Sequence, residues 1–211
     1  MFRSTMASSE WDRVRDELAA AGVAGSEDFG KFVNNTALLE PSKFDGPAAM
    51  TTLIRLLPTV SDAKVCAAIA SHLRGAWARP TCFEALHDSF HKWAVEDSSA
   101  GWAIGDSMAS AADSRHLAKL LKIATDDQFG MARQMVVNSL WRFRKDERVE
   151  STLVALLLDS DVALHAASAL QRAIGGSASV PLLEQARNST DSARVKAQLG
   201  QQLGRARKAS T

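Results

Sequence analysis

The chain has 211 residues, of which 46% are hydrophobic, with 25 basic and 24 acidic side chains. That length and apolar share suit one globular domain or one short repeat array with a real core. The near-zero charge balance singles out neither a nucleic acid nor an anionic membrane surface as partner.

Residues 1–8 carry no helical pattern and are expected to fray. Ser8 or Ser9 caps a first helix with Trp11, Val14, Leu18 and Ala21 at helical spacing, ended by Gly22 and Gly25. Ser26-Glu27-Asp28 starts a short helix carrying Phe29, Phe32 and Val33, and Pro41 breaks any helix beyond it. Asp45-Gly46-Pro47 opens a helix bearing Met50, Leu53, Ile54 and Leu57, which Pro58 stops. Ser61 or Asp62 caps the next, with Val65, Ile69, Leu73 and Ala76 on one face. Pro80-Thr81 opens a helix with Phe83, Leu86, Phe90 and Trp93. Residues 98–112 place Trp102, Ile104, Met108 and Ala109 on an Ala- and Ser-rich helix. Asp113 caps a helix holding Leu117, Leu120, Leu121 and Ala124.

Helices are then predicted over 126–144, 147–158 and 161–174. Ser179-Val180-Pro181 opens another, Asp191 caps the last, and residues 205–211 fray. Asp45, Asp62, Asp113, Asp161 and Asp191 are all read as caps. No stretch alternates as a strand does. Nor does any run approach the roughly 18 apolar residues of a membrane span, and Met1 to Met6 is too short and polar for a signal peptide. Cys66 and Cys82 do not form a Cys-x-x-Cys pair and read as small buried hydrophobes, which fits a reducing cytoplasm.

Three segments in the last third echo one another. Each places an apolar residue eight positions before a leucine: Ala132/Leu140, Val162/Leu170 and Val195/Leu203. Their starts are 30 and 33 residues apart. A period in this range marks a unit repeated in space, here a helix pair that cannot bury its apolar face alone. Val65/Leu73 has the same internal spacing. The expected fold is therefore all-α, an α-solenoid of stacked antiparallel helix pairs. Residues 1–60 would form an atypical N-terminal cap, 61–206 the repeats and 207–211 a frayed basic tail.

The segments Asp161-Val-Ala-Leu-His-Ala-Ala-Ser-Ala-Leu-Gln-Arg-Ala-Ile-Gly175 and Asp191-Ser-Ala-Arg-Val-Lys-Ala-Gln-Leu199 carry a resemblance to the HEAT-repeat family, in particular to bacterial HEAT-like repeats. Arg133 and Lys196 match the family's basic position after an apolar residue, and Ala163 departs from it. The resemblance implies an armadillo-like superhelix whose second helices line a concave surface. A repeat motif specifies fold far better than function.

From Gly130 onward there are twelve basic against seven acidic residues, a net +5, and thirteen against seventeen before it, a net −4. Trp141-Arg-Phe-Arg-Lys145 is the densest aromatic and basic interleaving. With Val136, Leu140 and Phe143 as core, Arg133, Asn138, Trp141, Arg142 and Lys145 are candidates for exposure on that helix. Lys64, His72, His165, Arg172, Arg194 and Lys196 are the matching positions elsewhere. The candidate partner-binding set is Lys64, Arg133, Asn138, Trp141, Arg142, His165, Arg172 and Lys196.

No nucleophile elbow, phosphate-binding loop or zinc-protease motif occurs. Asp28-Phe29-Gly30 lacks the other kinase elements. His87 and His91, flanked by Glu84 and Asp88, have the spacing of metal ligands, but an amphipathic helix leaves such a face to solvent, and no cofactor or metal is assigned. The reading is a non-catalytic scaffold, cytoplasmic, that grips a protein partner on its concave surface. The alternative is a nucleic-acid binder using the same basic groove and similar in fold to alkylpurine DNA glycosylases, for which Trp102 with Asp106 and Trp141 with Arg142 are the only shared elements.

Overall fold

The computed structural model describes residues 9–30 and 44–208. Phe32, Val33 and Pro41, like residues 1–8 and 209–211, lie outside the described residues. Among those described there are eleven α-helices joined by short 3-10 turns, and no strand. None of these helices is long and apolar enough to cross a membrane. Two compact units emerge. The first runs to Trp93 and takes in Ser99–Ala111; the second is Ala94–Ser98 with the chain from Ala112 onward.

The first unit holds α1 (Glu10–Ala20), α2 (Gly46–Leu56), α3 (Ala63–His72), most of α4 (Phe83–Glu96) and α5 (Ser98–Ala111). Polar starts fix the helix ends. Ser9 and Asp12 form a reciprocal capping box on α1. Asp45 accepts from the Ala48 amide, and Asp62 from those of Lys64 and Val65. Glu10 then ties α1 to the α2–α3 turn, its carboxylate accepting from the Ser61 and Asp62 amides at 2.9 and 2.7 Å. Burial alone would raise its pKa, but those amide bonds outweigh it and the carboxyl titrates low. Val14, Leu18, Leu53, Val65, Ile69, Leu86 and Phe90 are wholly buried. Cys66 and Cys82 sit among them, and burial pushes their thiols up to about 12 and about 11, as suits inert packing residues.

Three apolar assignments in this unit fail: Ala21, Ala76 and Trp102 are exposed. Trp102 is 39% exposed. On α5 it lies 200° around the axis from Ile104, and the buried stripe is Ala100, Ile104, Ser107, Met108 and Ala111. Small side chains fill that face, so the indole is turned outward.

The second unit holds α6 (Leu117–Thr125), α7 (Gln134–Ser139), α8 (Glu147–Ala155), α9 (Ala163–Ile174), α10 (Gly176–Ser189) and α11 (Ala193–Lys208). Sequential neighbours pack as α6 on α7, α8 on α9 and α10 on α11; α9 also packs on both α7 and α11. Val136, Leu140, Leu153, Leu157, Val162, Leu170, Leu183 and Leu199 form the core. The closely set helices meet through alanines: Ala163, Ala166, Ala167 and Ala169 are fully buried on α9.

Several boundaries differ from the sequence reading, each for a local reason. The helix expected over 126–144 is a 3-10 segment, α7 and a second 3-10 turn, because Gly130 adopts φ 44° and ψ −128°. Asp161 caps nothing: Val162 holds the N-cap position of α9, without a side-chain bond. At α11 the Val195 amide is capped by Ser192 rather than Asp191. Helix α10 begins at Gly176, after Gly175 turns the chain at φ 93°, and Pro181 lies inside it rather than at its start. Finally, α11 continues through Lys208, where fraying was expected from residue 205. Ala206 is buried and Arg207 pairs with Glu184 of α10.

Candidate functional site

The residues singled out by sequence fall into both units. Lys64 is exposed on α3 in the first. His72, at the end of the same helix, is not a surface cation. Its ring packs against Phe29 and Phe44, with centroids at 5.2 and 4.5 Å, and burial lowers its pKa to about 4. It is neutral at pH 7.

In the second unit, the candidates lie on α7, on the 3-10 turn that continues it (Leu140–Phe143), on α9 and on α11. Arg172 of α9 reaches back to Trp141, its guanidinium carbon 3.8 Å from the indole ring centre. This cation–π contact joins α9 to the 3-10 turn after α7 and covers one face of the indole. Arg142, the next residue, is exposed. It donates to the Ala112 carbonyl at 3.0 Å and leans over Phe143 at 5.5 Å, so its charge is held in place rather than swinging freely. Asn138 is half-buried one turn earlier. His165 lies on the same face of α9 as Arg172, two turns before it. It too is neutral at pH 7, because burial lowers its pKa, so it adds a polar edge and no charge. Arg194 and Lys196 are exposed on α11, which packs beside α9.

Arg133 is the clear correction. Expected on the surface, it is 1% exposed. Its guanidinium donates to the Ala124 carbonyl at the end of α6 (2.9 Å), to the Gly130 carbonyl (3.2 Å) and to Asp159 after α8 (2.6 Å). It therefore ties the end of α6 and the turn before α7 to the segment after α8, and is unavailable to a partner. Gln134 beside it donates to the Asp161 carbonyl at 2.8 Å, and Gln171 of α9 does the same to Gln202 of α11 at 2.9 Å. Sequence reasoning missed this ladder of cross-links. The available signal was the family's basic position itself, followed 26 residues later by Asp159. Phe143, expected in the core, is only half-buried, because the 3-10 turn rotates it off the α7 stripe.

The elements shared with glycosylases are Trp102 with Asp106 and Trp141 with Arg142. Asp106 is bound by Arg74 at 2.7 Å. Burial raises the Asp106 pKa, with the Arg74 charge opposing it.

On α4, Glu84, His87 and Asp88 each offer a ligand atom, and these lie within 4.8 Å of one another. His87 Nδ1 is 3.2 Å from Asp88 Oδ1, and His87 Nε2 is 3.4 Å from His91 Nε2.

Residues 117–204 match the model of a family described as HEAT repeats. No curated protein and no solved structure matches the chain. The matched span covers α6 to most of α11, the same helices in which the eight-residue spacing recurs and α9 packs between α7 and α11. Residues 117–204 therefore carry HEAT repeats.

Proposed function

We propose that α6 to α11 stack as antiparallel HEAT-like pairs, and that the second helices α7, α9 and α11 together present a concave face that grips a protein partner without catalysis. One observation carries this reading. Trp141 and Arg142, on the 3-10 turn after α7, and Arg172 on α9 form a pre-set aromatic and arginine cluster. Such residues anchor interfaces because they bring large contact area and directed charge at little further ordering cost. Lys196 and Arg194 on α11 extend the positive surface. An acidic or mixed-charge protein surface suits it, and Asn138 and His165 supply neutral polar contacts. Lys64, in the first unit, belongs to the proposal only as a separate outlying contact, and the cytoplasm remains the proposed setting.

The nucleic-acid reading has less support from the geometry. A base stacking on Trp141 would have to displace Arg172 from the ring face, and the acidic residue of the glycosylase analogy is ion-paired. The test is a pull-down from the source cell with the wild-type chain and with the double variant Arg142→Glu/Lys196→Glu. Loss of one partner in the charge-reversed protein supports the proposed face. Retention of every partner contradicts it. Binding to a short duplex that weakens steeply with salt would favour the nucleic-acid reading instead.

A further inference from the structure

Among the described residues, α4 carries one group of side chains whose arrangement its packing does not require. Phe83, Leu86 and Phe90 are wholly buried on this helix, and Trp93 almost so; Glu84, Asp88 and His91 stand on its exposed side. His87 lies between the two faces, its side chain 17% exposed. Its ring stacks on Phe83, with centroids 6.0 Å apart, and its Nδ1 meets the Asp88 carboxylate at 3.2 Å. The Asp88 carboxylate can only accept, so this contact favours the tautomer with the proton on Nδ1. With the Nδ1 proton donated to Asp88, the lone pair resides on Nε2. That Nε2 points to His91 Nε2, 3.4 Å away, with the two rings edge-on at 74°.

We propose that Glu84, His87 and His91 form a binding site for one divalent transition-metal ion, with Asp88 as the positioning residue for His87. The nitrogen separation is the central observation. Two imidazole nitrogens each about 2.0–2.1 Å from a tetrahedral zinc ion lie about 3.3–3.4 Å apart. The pair is thus already spaced as two ligands of one ion. Glu84, one turn before His87, has a carboxylate oxygen within 4.8 Å of a His87 ligand atom, and its side chain swings toward His91 to complete the set. Loading turns the two rings so that both lone pairs meet at the ion. His91 shifts its proton from Nε2 to Nδ1, and the ion takes the place of the hydrogen bond between the rings. Two imidazoles and one carboxylate select zinc, nickel or copper over magnesium or calcium, which favour all-oxygen sites. Three ligands from one helix leave at least one coordination position for water or for a ligand atom from another molecule. This site lies in the first unit and does not depend on the partner-binding proposal.

The test is titration of the full-length, tag-free protein with Zn²⁺ against a chromophoric chelator, with Mg²⁺ as the control ion. The expected result is one Zn²⁺ per wild-type chain, undisturbed by excess Mg²⁺. His91→Ala, a change at an exposed position, should retain the wild-type circular dichroism and bind Zn²⁺ at least about tenfold more weakly. Asp88→Asn should weaken binding by about 10–100-fold, the usual effect of losing the group that orients a histidine ligand. Wild-type protein that binds no Zn²⁺, or His91→Ala protein that binds it as tightly as wild type, would overturn the site.

Discussion

Arg133→Met isolates the cross-link between the end of α6 and the segment after α8. Methionine keeps most of the buried stem and removes three charge-assisted hydrogen bonds, to Ala124, Gly130 and Asp159. The Ala124 bond is fully buried, so its carbonyl is left without that donor, a loss of about 1–3 kcal/mol. Breaking a buried ion pair costs about 3–5 kcal/mol when the remaining charge stays desolvated. Here the remaining charge is Asp159, whose side chain is 24% exposed and can recover water, so the low end applies. The expected total is about 3 kcal/mol. Lys196→Met is the matched control: it occupies the same motif position on an exposed surface and should change stability by no more than about 0.5 kcal/mol. Urea unfolding followed by far-UV circular dichroism reads both. With a slope of about 2 kcal/mol per molar urea, Arg133→Met should shift the midpoint by about 1.5 M. A midpoint within experimental error of wild type, or equal shifts for the two variants, would refute the claim that Arg133 ties α6 to the segment after α8.

The titrating groups supply two further predictions. His72 has a folded-state pKa lowered by burial to about 4 from an ordinary 6.5, so the unfolded chain binds more protons between those values. Its contribution to stability is complete above pH 6.5 and is lost as pH falls toward 4, a loss of up to about 3 kcal/mol. The stability difference between wild type and His72→Phe should therefore change across that window, and a difference independent of pH would count against the assignment. Asp113 is held at about 2 instead of 3.8, first by its side-chain hydrogen bonds with Arg115, with the Arg115 amide and the His116 and Arg115 charges adding to them. Its stabilising effect is present above pH 3.8 and disappears as pH falls toward 2. In Arg115→Gln its carboxyl resonance should titrate nearer 3.8 by NMR; an unchanged midpoint would show that Arg115 is not the cause.

The features legible in the sequence were those that short-range rules govern. The eight-residue spacing located α7, α9 and α11, the caps at Asp45 and Asp62 are real, and Asp113 caps the 3-10 turn that leads into α6. Where the reading failed, a longer-range or backbone term decided the outcome. Gly130 broke the 126–144 helix through its own dihedral angles, which no hydrophobic pattern encodes. Trp102 turned outward because the Ala and Gly residues of α5 left close packing, rather than a large side chain, on the buried face. Arg133 and Lys196 share a motif position, yet one is buried and one exposed. The difference is Asp159, 26 residues away, which supplies Arg133 with a counter-charge. The Trp141–Arg172 contact was legible only as two separate candidate residues. Their pairing depends on how α9 lies against the turn after α7.

The most direct test of the partner-binding account places a photo-crosslinking amino acid at one position at a time in the otherwise unaltered chain. Asn138, Arg172 and Lys196 sample α7, α9 and α11; Lys122 and Glu150 sample α6 and α8. The account predicts that one and the same protein is captured from all three second-helix positions and from neither first-helix position. Capture from Lys122 or Glu150 with none from the second helices would contradict it.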